Sequence, residues 1–374
     1  MTAKLGLIVN PFAGMGGRVG LKGSDGKETI RRAIALGARP EAPGRAVEAL
    51  RALGDLASGV DLVTYPYEMG EEEARQAGFS PTVLGSIARG ETTPEDTERA
   101  ARDLREAQVD LLLFVGGDGT ARNVCSAIGR ELPALGVPAG VKIHSAVYAT
   151  TPRSAGDLAR LVLEGRVGRY QDAEVMDIDE DAFRQGRVSA RLYGYLKVPA
   201  DQAHVQNMKS GRAQGDEAAL VAIAEHVIED MEGQMERLYI LGPGTTTKAI
   251  KDRLGIAGTL LGVDLVQGKR LVGADVGERD ILARTQGVPA TVVVTIIGGQ
   301  GYIFGRGNQQ LSPGVLAQVG IGNVLVVATR QKVIDLRGAP LLVDTGDPAT
   351  DQSLRGYRRI VTGYHDTLVY RVDG

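Results

Sequence analysis

The chain carries a single cysteine, Cys125, so no internal disulfide can staple it and a secreted disulfide scaffold is excluded. That cysteine, in the helix expected after Gly119, reads as a buried small apolar residue. A charge excess is also missing: 43 Lys and Arg face 46 Asp and Glu, for a net charge of −3. Nucleic-acid binders usually carry a basic surplus, so no nucleic-acid partner is expected. Long apolar runs are absent too. The longest, around Leu111–Val115 and Ala290–Ile297, fall far short of the roughly 18 residues that span a bilayer. The run Leu5–Val9 behind Lys4 is too brief for a signal peptide. No membrane span and a soluble, cytoplasmic location are therefore expected. With four scattered His and one Cys, no transition-metal site and no protein-held metal are predicted.

What is abundant is glycine: 51 of 374 residues, about twice average usage. There is no G-X-Y period and proline is only 15, so neither collagen nor low complexity accounts for it. The glycines cluster at the ends of apolar runs, where a backbone turns sharply or approaches a ligand.

Length predicts two domains. Over the first 150 residues or so, short apolar runs (Leu5–Asn10, Val60–Thr64, Asp110–Val115, Ala134–Val137) alternate with helical patterns. Helices are expected over Thr29–Leu36, Arg45–Leu53 and from Pro94 to about Ala107, the last with Thr93 as N-cap. That alternation predicts a parallel sheet of α/β type. Beyond about Gly165 the pattern is strand-heavy and mixed. Val167–Ile178 and Arg187–Val198 should pair, Val263–Val272 reads as a hairpin around Gln267-Gly268, and Ala290–Ile297 and Asn323–Ala328 are further strands. Helices are expected at Glu217–Met231, Thr246–Leu254 and Glu278–Arg284. The reading is an α/β nucleotide-binding domain over 1–155 and a β-rich domain over 156–374, whose C-terminal segment could pack back on the first.

The sharpest chemical signal is Gly116-Gly117-Asp118-Gly119-Thr120, between a strand and a helix. Three glycines let backbone N–H groups face an anion, and the helix N-terminus adds positive dipole. Asp118 is odd in a phosphate cradle. It makes sense if it takes a proton from an attacking hydroxyl or holds Mg²⁺ against the phosphates. An N-capping Asp in a tight turn is the plainer alternative. A second glycine-rich stretch, Asn10 to Gly23, also follows a strand and should reach the same carboxyl edge of the sheet, where ligands sit in open α/β folds. Asn10, Gly14, Gly16 and Gly17 are candidate phosphate neighbours, and Arg18 and Lys22 could neutralise charge. The spacing of Gly17 to Lys22 does not match a P-loop. Lys142 and His144 alternate after Gly140 and either line a ligand or face solvent. Gly244 with Thr245, Thr246 and Thr247 opens a helix with three hydroxyls, an anion-friendly start or a plain cap. Asp264, between Val263 and Leu265, is costly unless paired, functional or exposed. Arg306, Asn308 and Gln309 could read a nucleotide.

A strand ending in Asn10-Pro11-x-x-Gly14, with Gly116-Gly117-Asp118-Gly119-Thr120 some hundred residues later, resembles the ATP-NAD kinase superfamily, which includes NAD kinases and, more distantly, diacylglycerol and sphingosine kinases. The strings Gly20–Gly23, Gly140–Ser145 and Gly301–Gln310 are most similar to a prokaryotic NAD-kinase-like branch that includes acetoin-catabolism-cluster relatives. The resemblance implies an α/β N-terminal domain and a β-rich C-terminal domain contributing to the cleft, as in NAD kinases and diacylglycerol kinases. It implies Asp118 as base toward an acceptor hydroxyl, Gly116, Gly117, Gly119 and Thr120 near phosphates, and Gly242–Thr247 where the family's Thr-Gly-Ser-Thr string contacts the nucleotide. It further implies Mg²⁺, ATP or polyphosphate as donor, NAD or another small hydroxyl compound as substrate, and a homo-oligomer. The family's Asn-Glu pair is missing between 165 and 240, as is its Gly-Asp-Gly before the threonine string. The expectation is therefore a kinase, acting on the 2′-hydroxyl of NAD. The alternatives are a kinase of the same fold on another small hydroxyl compound or a lipid, or a nucleotide-sensing binding protein.

Overall fold

The expected strand–helix alternation builds a five-stranded sheet. In the computed structural model, which describes residues 3–21, 27–140, 143–178, 190–200, 216–297 and 301–373, β1 (Ala3–Val9), β2 (Val60–Thr64), β3 (Thr82–Val83), β4 (Leu111–Gly116) and β5 (Ala134–Pro138) pair in the order β3-β2-β1-β4-β5. All four pairings are parallel, with Leu5 opposite Leu111 and Val9 opposite Val115. The helices are α1 (Lys27–Ala35), α2 (Ala42–Arg51), α3 (Glu71–Gln76), α4 (Pro94–Glu106), α5 (Asp118–Ile128) and α6 (Pro152–Leu163).

Strand β4 is buried along its whole length because both of its faces are covered. Leu111, Leu113 and Val115 meet Ala46 and Leu50 of α2 and Leu158 of α6, while Leu112 and Phe114 meet Leu104 of α4 and Val124 of α5. A strand alternates its side chains, so a continuous apolar run is what a central parallel strand needs. Helix α4 starts as expected, with Thr93 and Asp96 forming a capping box around Pro94. Helix α2 begins three residues earlier than its periodicity suggested, because Ala42-Pro43 already supplies a first turn.

The chain divides into two compact units. The first comprises Met1–Met15, Gly23–Ile34 and Arg39–Met208, and the second Gly16–Lys22, Ala35–Ala38 and Lys209–Gly374. The sequence suggested a change near 155, whereas the compact units part at Met208. The reason is the antiparallel hairpin of β6 (Tyr170–Ile178) and β7 (Ala190–Pro199), which buries Ala173, Val175, Leu196 and Val198 in the core beside α4 and α5.

In the second unit, α7 (Asp216–Glu232) precedes a nine-stranded mixed sheet. Its strands are β8 (Leu238–Leu241), β9 (Asp264–Gln267), β10 (Arg270–Gly273), β11 (Ala290–Thr295), β12 (Tyr302–Phe304), β13 (Val324–Val327), β14 (Leu341–Val343), β15 (Gly356–Gly363) and β16 (Asp366–Asp373), in the order β10-β9-β8-β11-β13-β15-β16-β14-β12. Between them lie α8 (Thr245–Arg253), α9 (Glu278–Thr285), α10 (Pro313–Val319), α11 (Arg330–Ile334) and α12 (Pro348–Leu354). The predicted hairpin is present, turning on Gly268 and Lys269, both at positive φ (56° and 62°) as a two-residue turn of the right twist requires. The C-terminal segment, β15 and β16, completes the interior of this sheet and places Ile360 and Val372 in its core. Among the described residues, no helix is long and apolar enough to cross a membrane.

Candidate active site

At the carboxyl edge of the first sheet, the ends of β1 and β4 are locked together. The Asn10 N–H donates to the Val115 carbonyl at 3.0 Å. Its side-chain amide donates to Thr120 Oγ1 at 3.0 Å, and its Oδ1 accepts the Phe12 N–H at 3.2 Å. The sequence placed both glycine stretches on this edge, and that holds for Asn10–Met15. The remainder, Gly16 and Gly17 included, belongs to the second unit, where a Cβ on Gly17 would lie 3.0 Å from the Gln309 side chain.

Helix α5 begins at Asp118, with Gly117 as its N-cap, so Gly119 and Thr120 lie in its first turn and not in a preceding loop. The first intrahelical bond falls to the Ala121 N–H, which reaches the Gly117 carbonyl, and first-turn amides are donors that a helix leaves for a ligand. Asp118 does not cap the helix. Its buried carboxylate turns to the loop after β5: Oδ2 accepts the His144 N–H at 2.7 Å and lies 3.1 Å from His144 Nδ1, while Oδ1 accepts the Ser145 N–H at 3.1 Å. His144 is thus no solvent-facing residue; its side chain is 7% exposed. Ser145 is pinned in turn to β6, its hydroxyl donating to the Met176 carbonyl at 2.8 Å and accepting the Met176 N–H at 3.0 Å.

The glycines here serve close backbone approach. A Cβ on Gly117 would sit 3.1 Å from the Gly140 Cα, and one on Gly140 would sit 2.7 Å from the Gly117 Cα. A Cβ on Gly116 would strike the Thr120 side chain. The Gly140 N–H is spent on the Gly116 carbonyl. Gly14, at φ 80°, leaves no room for a Cβ against the Ala139 carbonyl.

Beside this edge lies a cavity of about 300 Å³ whose wall includes Asn10, Phe12, Thr93, Gly119, Thr120 and Asn123. Arg122 also lines it and pairs with Asp177 at 2.7 Å. The cavity is therefore bounded by the first turn of α5 and carries one guanidinium, which suits an anionic or polar ligand. Arg122 and Asn123 were not singled out in the sequence, although their i+4 and i+5 distance from Asp118 on the same helix was the available signal.

In the second unit, Gly244 caps α8 at φ 126° and the threonines are largely buried, Thr246 and Thr247 completely. Thr247 Oγ1 donates back to the Gly244 carbonyl at 3.0 Å, a bond within the first turn that leaves the N–H groups of the helix start uncapped by any side chain among the described residues. The ammonium of Lys332 stands at this helix start, 3.0 Å from Thr246 Oγ1, 3.5 Å from Thr245 Oγ1 and 3.4 Å from Thr295 Oγ1. Nothing in the sequence near Lys332 announced that role. A cation beside the positive end of a helix favours an anion between or above them.

Asp264 is paired. Fully buried, it lies 2.8 Å from Lys251 Nζ and accepts the N–H groups of Thr259 at 2.7 Å and Asp275 at 2.9 Å. Burial lowers the Lys251 pKa, and the Asp264 charge opposes that shift. Arg306 is buried over the Tyr302 ring, 3.4 Å from Asp344 Oδ2. The Asn308 amide accepts the Gly305 N–H and donates to the Ile303 carbonyl, so it holds a turn, and Gln309 is buried against Gly17. Cys125 is half-buried, its Sγ 3.6 Å from the Tyr195 carbonyl. Lys22 and Lys142 lie outside the described residues, as do Gly23, Val141 and Gly298–Gln300.

Two family models match the chain, the ATP-NAD kinase N-terminal domain over residues 5–167 and the ATP-NAD kinase C-terminal domain over residues 235–372. No curated protein matches it. The two matches follow each other in order over most of the chain and coincide with the parallel α/β sheet and with the strand-rich sheet, and so the chain belongs to the ATP-NAD kinase family.

Proposed function

We propose that the protein is a phosphotransferase that moves a phosphoryl group from ATP or polyphosphate to the 2′-hydroxyl of the adenosine ribose of NAD, giving NADP. The observation that carries the reading is the placement of Asp118. Its carboxylate is buried at the first turn of α5, oriented by two backbone N–H groups and an imidazole, with no Lys or Arg paired to it among the described residues. A carboxylate offers about four acceptor positions, so one remains after these three contacts.

In the proposed step, Asp118 takes the proton of the acceptor hydroxyl as its oxygen forms a bond to phosphorus. The bridging P–O bond of the donor breaks, and the leaving phosphate takes that electron pair. First-turn amides of α5 supply charge stabilisation, which is the main protein contribution to phosphoryl transfer, and the Lys332 ammonium at the start of α8 is a separate place where nucleotide phosphate could be held. Mg²⁺ is held mostly by substrate phosphates, and since the one open acceptor position of Asp118 is taken by the hydroxyl proton, the ion would rest on the donor phosphates. When bound, the ion would neutralise phosphate charge.

Incubation with Mg²⁺, NAD and either ATP or polyphosphate should yield NADP, read by a strictly NADP-dependent dehydrogenase. No NADP with either donor, in a preparation that still binds nucleotide, would overturn NAD as acceptor. The missing Asn-Glu pair favours a second reading, a kinase of this fold for a different hydroxyl compound, because sites that hydrogen-bond particular hydroxyls discriminate strongly once those partners change. Screening other hydroxyl acceptors for ADP release separates the two.

A further inference from the structure

The histidines look scattered along the chain, yet the second unit brings two of them to one glutamate. His226 and Glu229 share a face of α7, three residues apart, and His365 lies in the turn between β15 and β16. Each offers one ligand atom, and these atoms all lie within 4.8 Å of one another. We propose that His226, Glu229 and His365 form a binding site for a divalent transition-metal ion of the zinc class.

Three features of the geometry support a metal site over an ordinary surface ion pair. His365 Nε2 already lies 3.1 Å from Glu229 Oε2, close to the separation of two ligands around one tetrahedral ion. His226 Nδ1 faces the turn, 3.4 Å from the His365 backbone nitrogen, a long contact whose place a metal ion on that nitrogen would take. The Tyr364 hydroxyl donates to Glu229 Oε1 at 3.2 Å, which orients the carboxylate while leaving Oε2 toward the imidazoles, as an outer partner of a metal ligand does.

The donor set specifies the ion. Two imidazoles and a carboxylate suit Zn²⁺, Co²⁺ or Ni²⁺ and leave at least one position for water, whereas Mg²⁺ prefers oxygen donors. The site is therefore separate in chemistry from the nucleotide-borne Mg²⁺ of the proposed phosphotransfer. Bound metal would clasp α7 to the β15–β16 turn. His365 holds φ 51°, an unfavourable conformation for a residue with a side chain, at the point the clasp would secure.

The test uses the full chain without a histidine tag. Calorimetry should find one Zn²⁺ per chain in the low micromolar range, and the melting temperature should rise with Zn²⁺ but not with an equal concentration of Mg²⁺. Co²⁺ should give visible d–d bands of nitrogen and oxygen coordination. His226→Ala and the exposed-turn variant His365→Gln should each weaken binding at least about tenfold, and Cys125→Ser should leave it unchanged. Absence of a stoichiometric Zn²⁺ site, or equal affinity in parent and both histidine variants with circular dichroism intact, would overturn the proposal. Either result leaves the kinase reading untouched.

Discussion

Two buried aspartates, one in each unit, show how the surroundings of a carboxylate decide its use. Asp264 faces Lys251 and three N–H or O–H donors, and Lys251 spends its other bonds on the Gly242 and Thr259 carbonyls. That network is closed: its charges cancel and its polar atoms are occupied. Among the described residues Asp118 meets only backbone N–H groups and the His144 ring, and it begins helix α5 at the carboxyl edge of the first sheet. The first arrangement holds a fold, and the second is the one that the proposed function assigns to chemistry.

The largest effect on stability should come from opening the closed network. Lys251→Met leaves Asp264 as an uncompensated buried charge and should lower unfolding stability by about 3–5 kcal/mol in urea titrations. The double variant Lys251→Met/Asp264→Leu should recover most of that loss. A single variant as stable as the parent would show that the pair is not what holds this region.

A third buried carboxylate sharpens the contrast. Glu73 of α3 is 3% exposed and its Oε2 has no partner. Burial, with a smaller push from the neighbouring charges of Glu72 and Glu68, raises its pKa from 4.5 to about 7. The folded state therefore prefers the protonated acid. Its stability is full below pH 4.5 and falls as the pH rises through about 7, a loss of about 3 kcal/mol overall. Glu73→Gln should flatten that slope, so thermal melts of parent and variant should diverge most at pH 8. Parallel pH profiles would contradict it.

A smaller effect is expected at the other anion-friendly helix start. Lys332→Ala should raise KM for the phosphoryl donor about tenfold, ~1.4 kcal/mol, with little change in melting temperature. An unchanged KM would reduce the Lys332–Thr246 contact to a structural role.

The parallel sheet was legible because its strands are short apolar runs ending in glycine or proline, and because α4 advertises its start in Thr93-Pro94. Asn10 and Thr120 were legible as candidates from the motifs, and they do bond to each other. The partners that define the roles were not. His144 for Asp118, Lys251 for Asp264 and Lys332 for Thr246 are set by chain crossovers that no local pattern encodes. For the same reason the assignment of Gly16 and Gly17 to the second unit, and the meeting of His226 with His365, emerge only in three dimensions. The glycines were recognised as special, but Gly117 and Gly140 are needed for each other's backbone as much as for a ligand.

The central claim rests on Asp118 and is tested most directly by measuring turnover and stability together in Asp118→Asn. An amide can replace only one of the two acceptors facing the His144 and Ser145 N–H groups, so a loss of about 1–2 kcal/mol in stability is expected. Nucleotide binding should survive, and NADP formation should fall by about 10²-fold or more, the scale of losing a general base. A folded variant that turns over at the parent rate would contradict the account.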